Sequence, residues 1–491
     1  MKSLNARIWQ LPLLTAVLII GASCSREKSS VTGWNYNDPK NGGFEVVPYE
    51  EQETGPGLVL VEGGTFAMGR TEENITIDWD NVPRRVTVPS FYMDETEVAN
   101  VHYLEYLYWL DRVFGDEYPE VYKRALPDTL VWRDRLSYTE NYVELYLRHP
   151  AYQQYPVVGI NWLQATDFCA WRTDRVNEQI LVREGILRTN PSQKAEDNFN
   201  TDAYLAGQYE GLVKSDLPDL NPNGKGTRKV RIEDGILLPK YRLPTEAEWE
   251  FAALALIGNT QLERVYDRKQ YPWNGHIVRN GEEKYKGEML ANFKRGRGDM
   301  MGVAGNLNDG ADITAAVHNY PPNDYGLYNM GGNVSEWVMD VYRPLTSEDV
   351  TDFSSFRGNV YGTQVRDDEG LIAEKDSLGR ITTRPVTTEE AAGRRNYRKS
   401  DNINYVDGSG NDVDSTFKDV TYNYGGASMI DDKARVYKGG SWKDRAYWMS
   451  PGTRRFLDEK LSTDYLGFRC AMIRVGTPSS AGSKYKTVKR K

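Results

Sequence analysis

Cysteine and histidine are scarce in this chain, at three and four residues among 491. The histidines are His102, His149, His276 and His318. None pairs at metal-ligand spacing, and neither His-Glu-x-x-His nor Cys-x-x-Cys occurs, which argues against a zinc centre. A Gly-x-Ser-x-Gly elbow is missing, as is a phosphate-binding glycine loop ending in Lys-Ser/Thr. Beyond the N-terminus no stretch is long and apolar enough to cross a bilayer. Positive charge is also in deficit: the net charge of −9 argues against general nucleic-acid binding. The loop Asp407-Gly-Ser-Gly-Asn-Asp-Val-Asp414 hints at calcium. It lacks a sixth-position glycine and a closing glutamate, so it reads as a polar turn.

What is present begins at the N-terminus. Lys2 and Arg7 precede the apolar run Leu11–Ile20, the small residues Gly21-Ala22-Ser23, and then Cys24. That order describes a signal peptide over 1–23, cut before a lipidated Cys24. The alternative is an ordinary signal peptide with an incidental cysteine. Two or more acyl chains on Cys24 would anchor the chain stably. Residues 24–55 read as a polar tether, 56–475 as the body and 476–491 as a basic tail. The tail is either a solvated terminus or a contact for anionic lipid or an acidic partner. Polar insertions lie near 190–235 and 342–433. Scattered aromatics in the second (Tyr342, Phe353, Phe356, Tyr361, Tyr397, Tyr405 and Tyr422) are poor core and are candidates for an interface or for self-packed loop.

Alternation predicts strands at Leu58–Glu62, Thr65–Gly69 and Arg84–Val88. Helical spacing covers Asn100–Val113, Asn161 to about Arg175, and Thr245–Leu256, where Thr245 and Glu248 form a capping-box pattern. Glu246 and Glu250 share a face of that last helix, so like charges must be offset by basic side chains and loop backbone. Cys169 lies in a helix-like stretch and Cys470 ends a strand-like run. They are either buried separately or joined in a disulfide, since spacing alone cannot supply the geometry.

Seven ordered blocks then coincide. They are Leu60–Gly69, Tyr92–Asn100, Tyr155–Trp162, Tyr241-Arg-Leu-Pro-Thr-Glu-Ala-Glu-Trp-Glu-Phe-Ala252, Tyr325-Gly-Leu-Tyr-Asn-Met-Gly-Gly-Asn-Val-Ser-Glu-Trp337, Val436-Tyr-Lys-Gly-Gly-Ser-Trp442 and Leu466–Cys470. In this order they resemble the formylglycine-generating enzymes, or sulfatase-modifying factors, over about Leu58–Val475. The resemblance implies an α+β fold related to C-type lectins, low in regular structure. It also implies structural calcium in two places. One set is Asn292 and Asp309 by side chain with the carbonyls of Phe293 and Ala311. The other is Asn329 and Glu336 by side chain with the carbonyls of Gly332 and Val334. Irregular loops do offer calcium the oxygens it needs.

The family's oxidase uses a copper-binding cysteine pair just after the Gly-Gly-Ser block. Here the matching positions are Asp444 and Met449. Neither supplies the soft thiolate that Cu(I) prefers, so no copper and no catalytic residue are expected. A lipoprotein of this kind resembles the narrower group called GldK, GldJ or PorK, the gliding-motility and type IX secretion lipoproteins of Bacteroidetes. That likeness implies a structural ring component on the periplasmic face of the outer membrane, with PorN/GldN as ring partner. The rival expectation is a glycan or small-molecule binder, its cleft lined by Trp442, Asp444, Arg445 and Arg454.

Overall fold

The structure, a computed structural model, describes residues 28–41, 44–47, 51–70, 81, 83–219, 226–258, 269–273, 275–296, 310–342, 362–387, 390 and 433–476. Cys24, Asp309, the 407–414 loop, most of the second insertion and all but residue 476 of the basic tail lie outside them.

Alternating burial builds the first hairpin. In β2 (Gly64–Met68) and β3 (Arg84–Val88), Phe66, Met68, Val86 and Val88 turn inward, while Thr65, Arg85 and Thr87 face out. β1 (Leu58–Val61) and β4 (Phe91–Asp94) flank this hairpin in sequence and pair with each other antiparallel. With β5 (Tyr241–Arg242) and the last strand β10 (Ala471–Ile473) they form a sheet in the order β1-β4-β10-β5. A second sheet runs β8-β7-β6-β9, from β6 (Ser335–Val341), β7 (Ala434–Lys438), β8 (Arg455–Asp458) and β9 (Leu466–Gly467). The run ending at Cys470 is therefore not one strand. Its first residues join the second sheet, β10 joins the first, and fully buried Arg469 sits at the joint.

Helix α1 (Asn100–Phe114) turns Tyr103, Tyr106, Leu107, Leu110, Val113 and Phe114 inward. Helix α2 (Trp162–Arg183) is opened by an Asn161–Gln164 capping box. It runs two turns past the expected end at Arg175, because Asn177, Ile180 and Leu181 are also buried. The two helices meet through Tyr103, Tyr106 and Phe168, and Phe168 packs on Phe468 beside β10. Helix α3 (Glu246–Leu254) has the predicted cap, with Thr245 Oγ1 accepting from Glu248 N at 3.2 Å. All nine of its residues are buried between the β2–β3 hairpin and the second sheet, in one core with Val338 and Val436. Burying Phe251 alone contributes about 1.5–3 kcal/mol.

The first insertion is better built than its polarity suggests. Ile186, Leu187, Phe199, Tyr204, Tyr209, Val230 and Leu237 make a small core of their own against Leu181 of α2. The hairpin Gly362–Gln364/Thr383–Pro385, from the second insertion, carries a loop that leans on this lobe. Gln208 bonds the Ile372 and Ala373 carbonyls and the Lys375 amide, and Asn198 bonds the Leu378 carbonyl. Tyr342 is not poor core either: it is buried and stacks on Phe456 at 4.3 Å.

The expected tether is partly ordered. Asn37 bonds both N and O of Val46 through its side chain. Further on, Gln52 accepts from Val475 N at 2.7 Å and donates to Ile473 O, while Glu51 pairs with Arg474 and Glu53 with Arg183, both at 2.6 Å. Residues 51–53 are thus strapped to the end of β10 and to α2. No helix among the described residues is long and apolar enough to cross a membrane.

Candidate functional site

The strip after β7 is where the chemistry was expected. Gly439 and Gly440 turn the chain with φ of +96° and +67°, and a Cβ on Gly440 would sit 2.9 Å from the Trp448 backbone. The turn presents Asp444, whose two oxygens accept from both terminal nitrogens of Arg455 at 2.7 Å and from Ser441 Oγ at 2.6 Å. The same guanidinium lies over the Tyr437 and Trp448 rings and donates to Ser335 Oγ. Met449 is fully buried among Tyr271, Met289, Ala291 and Phe293. The two positions matching the copper cysteines therefore hold a carboxylate saturated by an arginine and a thioether in an apolar core.

The expected cleft of Trp442, Asp444, Arg445 and Arg454 is not assembled. Trp442 is buried, stacks on Trp132 at 6.0 Å and donates to the Asp464 carbonyl. Arg454 is buried because it neutralises Glu246, donating to both of its oxygens at 2.9 and 3.0 Å. Asp444 is taken up by Arg455, and only Arg445 is exposed. Lys438 bridges Glu246 and Glu250 at 3.2 Å, and Glu250 also accepts from Gly69 N at 2.7 Å. The like charges on α3 are offset as the sequence implied. Burial would raise the Glu246 pKa, but Arg454, Lys438 and Arg84 prevail and hold it at about 2.

Calcium, which domains of this kind often bind, was expected at two loops, and the structure brings them side by side. Asn333 N donates to Asn292 O at 2.8 Å, and Gly332, at φ +87°, leaves no room for a Cβ beside that carbonyl. The second ligand set does not fit a cation as expected. Glu336 accepts from Arg469 at 2.6 and 2.7 Å and from Trp249 Nε1 at 2.7 Å, so a calcium ion there would face a guanidinium. Asn329 and Asn333 occupy the left-handed backbone region that asparagine tolerates, and both direct their amide nitrogens to Glu97. Val334 packs into the core beside Trp442. In the first set the Asn292 amide nitrogen donates to Ile313 O, Phe293 and Ala311 are buried, and Asp309 lies outside the described residues. No group of three or more His, Cys, Asp or Glu side chains among the described residues is placed to hold a metal.

One feature went unread in the sequence, and the cysteine pair takes neither of the two forms expected of it. Glu97 is a fully buried carboxylate. Burial, opposed by Arg469 and reinforced by Glu336, pushes its pKa up to about 8. Its position inside the Tyr92–Asn100 block was the available signal. Cys169 and Cys470, 301 residues apart, meet in the core with their sulfurs 3.3 Å apart, both as free thiols. They are buried together, not separately, and burial pushes the Cys169 thiol up.

Among the described residues, open space is found away from this strip. Between the strap, α1 and α2 are two adjoining cavities of 310 and 580 Å³ that share Glu105, Trp171 and Arg175.

Comparison with known proteins agrees with this architecture. The family described as sulfatase-modifying factor enzyme 1-like domain matches residues 43–473, and the chain belongs to that family. The matched span begins ahead of residue 56 and ends near 475. The chain is 26% identical to the formylglycine-generating enzyme of Mus musculus over 286 residues, 58% of each protein. It is 30% identical over 291 residues to the inactive C-alpha-formylglycine-generating enzyme 2 of the same species, covering 59% of this chain and 70% of that one. It is 26% identical over 286 residues to the serine/threonine-protein kinase pkn1 of Chlamydia pneumoniae, 58% of this chain and 28% of the kinase. The chain thus spans little more than half the length of the first of these relatives. The solved structure of PvdO from Pseudomonas aeruginosa aligns over 87% of this chain and all of its own, at 14% identity and a TM-score of 0.42.

Proposed function

We propose that this chain is a non-catalytic, lipid-anchored member of the family and a structural ring component of a type IX secretion and gliding-motility machine, of the GldK or PorK kind. The observation that carries the non-catalytic part is the pair of replaced positions. Asp444 is closed by Arg455 and Met449 is sealed in apolar packing, so these two positions offer copper no thiolate. An inactive relative of similar length of match supports the idea that the fold outlives the reaction. Cys24, after Gly21-Ala22-Ser23, supports a diacyl or triacyl anchor in the outer membrane with the body in the periplasm. The lobe built from the two insertions adds surface on which copies of the chain and the partner PorN/GldN would pack. A head-to-tail contact that closes on itself gives a ring.

Extraction in mild detergent followed by sizing and electron microscopy tests the ring, with large annular particles as the expected result. A monomer at every salt concentration overturns it. Cys24→Ala is expected to release the protein from the membrane. Incubation with copper and a cysteine-containing sulfatase peptide is expected to leave the cysteine unchanged, and formylglycine in the product overturns the non-catalytic reading.

A further inference from the structure

The residues that follow the expected lipid anchor fold into a small unit of their own. Ser29 N donates to Trp34 O at 2.8 Å, Gly33 N donates to Ser29 O at 2.9 Å, and Lys28 faces Asn35 across an antiparallel bridge. This closes a tight hairpin whose turn needs Gly33, at φ +75°. A second loop closes behind it. Asn37 N donates to Phe44 O at 2.9 Å, the Asn37 side chain bonds Val46, and the Tyr36 and Phe44 rings meet at 5.8 Å. The unit touches the body where Glu45 pairs with Arg231 of the first insertion, at 3.6 Å.

A unit far below about 40 residues has no core of its own in which to bury apolar side chains. Three of them stand in solvent: Val31 is 91% exposed, Phe44 68% and Trp34 60%. Ile232, which follows Arg231, is a fourth at 56%. The acidic side chains of the unit are taken up, Asp38 by burial and Glu45 by Arg231, while Lys28 and Lys40 are exposed. The outward surface is therefore aromatic, apolar and basic.

We propose that this surface lies in the headgroup layer of the membrane that holds Cys24, as a second attachment beside the lipids. The inference rests on the lipid-anchor reading and goes beyond it; it does not need the ring, since it uses one copy of the chain. Chain length selects the occupant. Lys28 follows Cys24 by four residues, a span of at most about 14 Å when fully extended. The bridge brings Asn35, and Trp34 with it, back to the Lys28 end, so the Trp34 backbone stays within about 25 Å of the acylated cysteine. Acyl chains on Cys24 thus hold this surface against the bilayer, whereas a second protein would have to reach it by diffusion. The chemistry agrees. Tryptophan is favoured at the membrane–water interface, where its apolar rings and its N–H meet different surroundings, and lysines are drawn to anionic headgroups. Lipids alone leave the chain free to swivel, and a seated hairpin removes that freedom.

The test uses the full chain purified from membranes and returned to vesicles of phosphatidylethanolamine and phosphatidylglycerol. Val31→Cys carries an environment-sensitive dye, and Leu136→Cys, at an exposed site outside the unit, carries the same dye as control. Cys169 and Cys470 are buried, and the unsubstituted chain checks that they take no label. At position 31 a blue-shifted emission, quenched by lipids bearing a nitroxide near the headgroup, is expected. At position 136 the emission stays water-like. Trp34→Ser together with Phe44→Ser, added to Val31→Cys, is expected to remove most of the shift while leaving the denaturation midpoint unchanged. Mass analysis of the N-terminal peptide reads acylation separately. An unmodified Cys24 overturns the anchor reading and this proposal with it. An acylated Cys24 with a water-like dye at position 31, or with equal shifts at 31 and 136, overturns this proposal alone. So does a shift that persists in detergent without vesicles and ignores the nitroxide lipid, since that would identify a protein partner on the same surface.

Discussion

The strip from Gly439 to Arg455 and the groove between α1 and α2 are both rich in aromatic and charged side chains. In the strip these groups answer one another: Asp444 with Arg455, Arg454 with Glu246, Trp442 with Trp132. Between the helices the matching is incomplete: the buried Nε of Arg112 and the buried indole nitrogens of Trp109 and Trp171 have no partner among the described residues. The difference teaches where substitutions should act. In the strip they should cost stability, because a buried charge that loses its partner is expensive. At the exposed residues of the groove they should leave the fold alone.

The largest expected effect is at Arg454. Arg454→Met leaves Glu246 buried with Lys438 and Arg84 but without its two-pronged guanidinium partner, and a loss of about 3–5 kcal/mol in urea denaturation is expected. A loss below about 1 kcal/mol would break the comparison. The pH dependence follows with a definite sign. Glu246 is held at about 2 against an ordinary 4.5, so its contribution is fully present above pH 4.5 and is lost as pH falls towards 2. In Arg454→Met that acid-labile contribution shrinks.

Next comes the sulfur pair beneath the groove. Its thiols touch across a 301-residue separation, so oxidation is expected to join them and to raise stability by about 2–4 kcal/mol. Mass analysis before and after reduction reads the bond directly. Cys470→Ser should be indifferent to oxidant. Asp444→Asn weakens a charge-assisted pair that is only partly buried, and a loss of about 1.5–3 kcal/mol is expected by thermal denaturation. The smallest effect belongs to the groove. Glu105→Gln should stay within about 0.5 kcal/mol of the parent, and a larger fall would mean that the groove is structural after all.

Much of the fold was legible. Both β2 and β3 alternate cleanly, the Thr245–Glu248 box marks the start of α3, and the ordered blocks point to the family before any coordinate does. The end of α2 was misread because Asn177, which bonds both N and O of Leu238, looks like a loop residue in sequence. The site was less legible. Trp442 and Arg454 look like cleft residues beside a Gly-Gly-Ser turn, and only the packing shows that Trp132 and Glu246 claim them. Glu336 and Asn329 carry a ligand pattern, yet Arg469 and Glu97 reach them from the far ends of the body. Trp109 and Trp171 read as ordinary core positions. Arg112 and Arg175, one turn further along their helices, were the hint of a shared polar groove.

The strap at residues 51–53 has a mechanical consequence. Tension on the chain ahead of Glu51 does not peel away a loose leader. It passes into Arg474 and the end of β10 and, through Glu53, into α2. Strand β10 lies inside its sheet between β4 and β5, so the load is shared across that sheet as shear and not taken by one hydrogen bond at a time. The body would behave as a bead gripped close to where its thread leaves it, with its orientation to the thread held by two ion pairs and the side chain of Gln52.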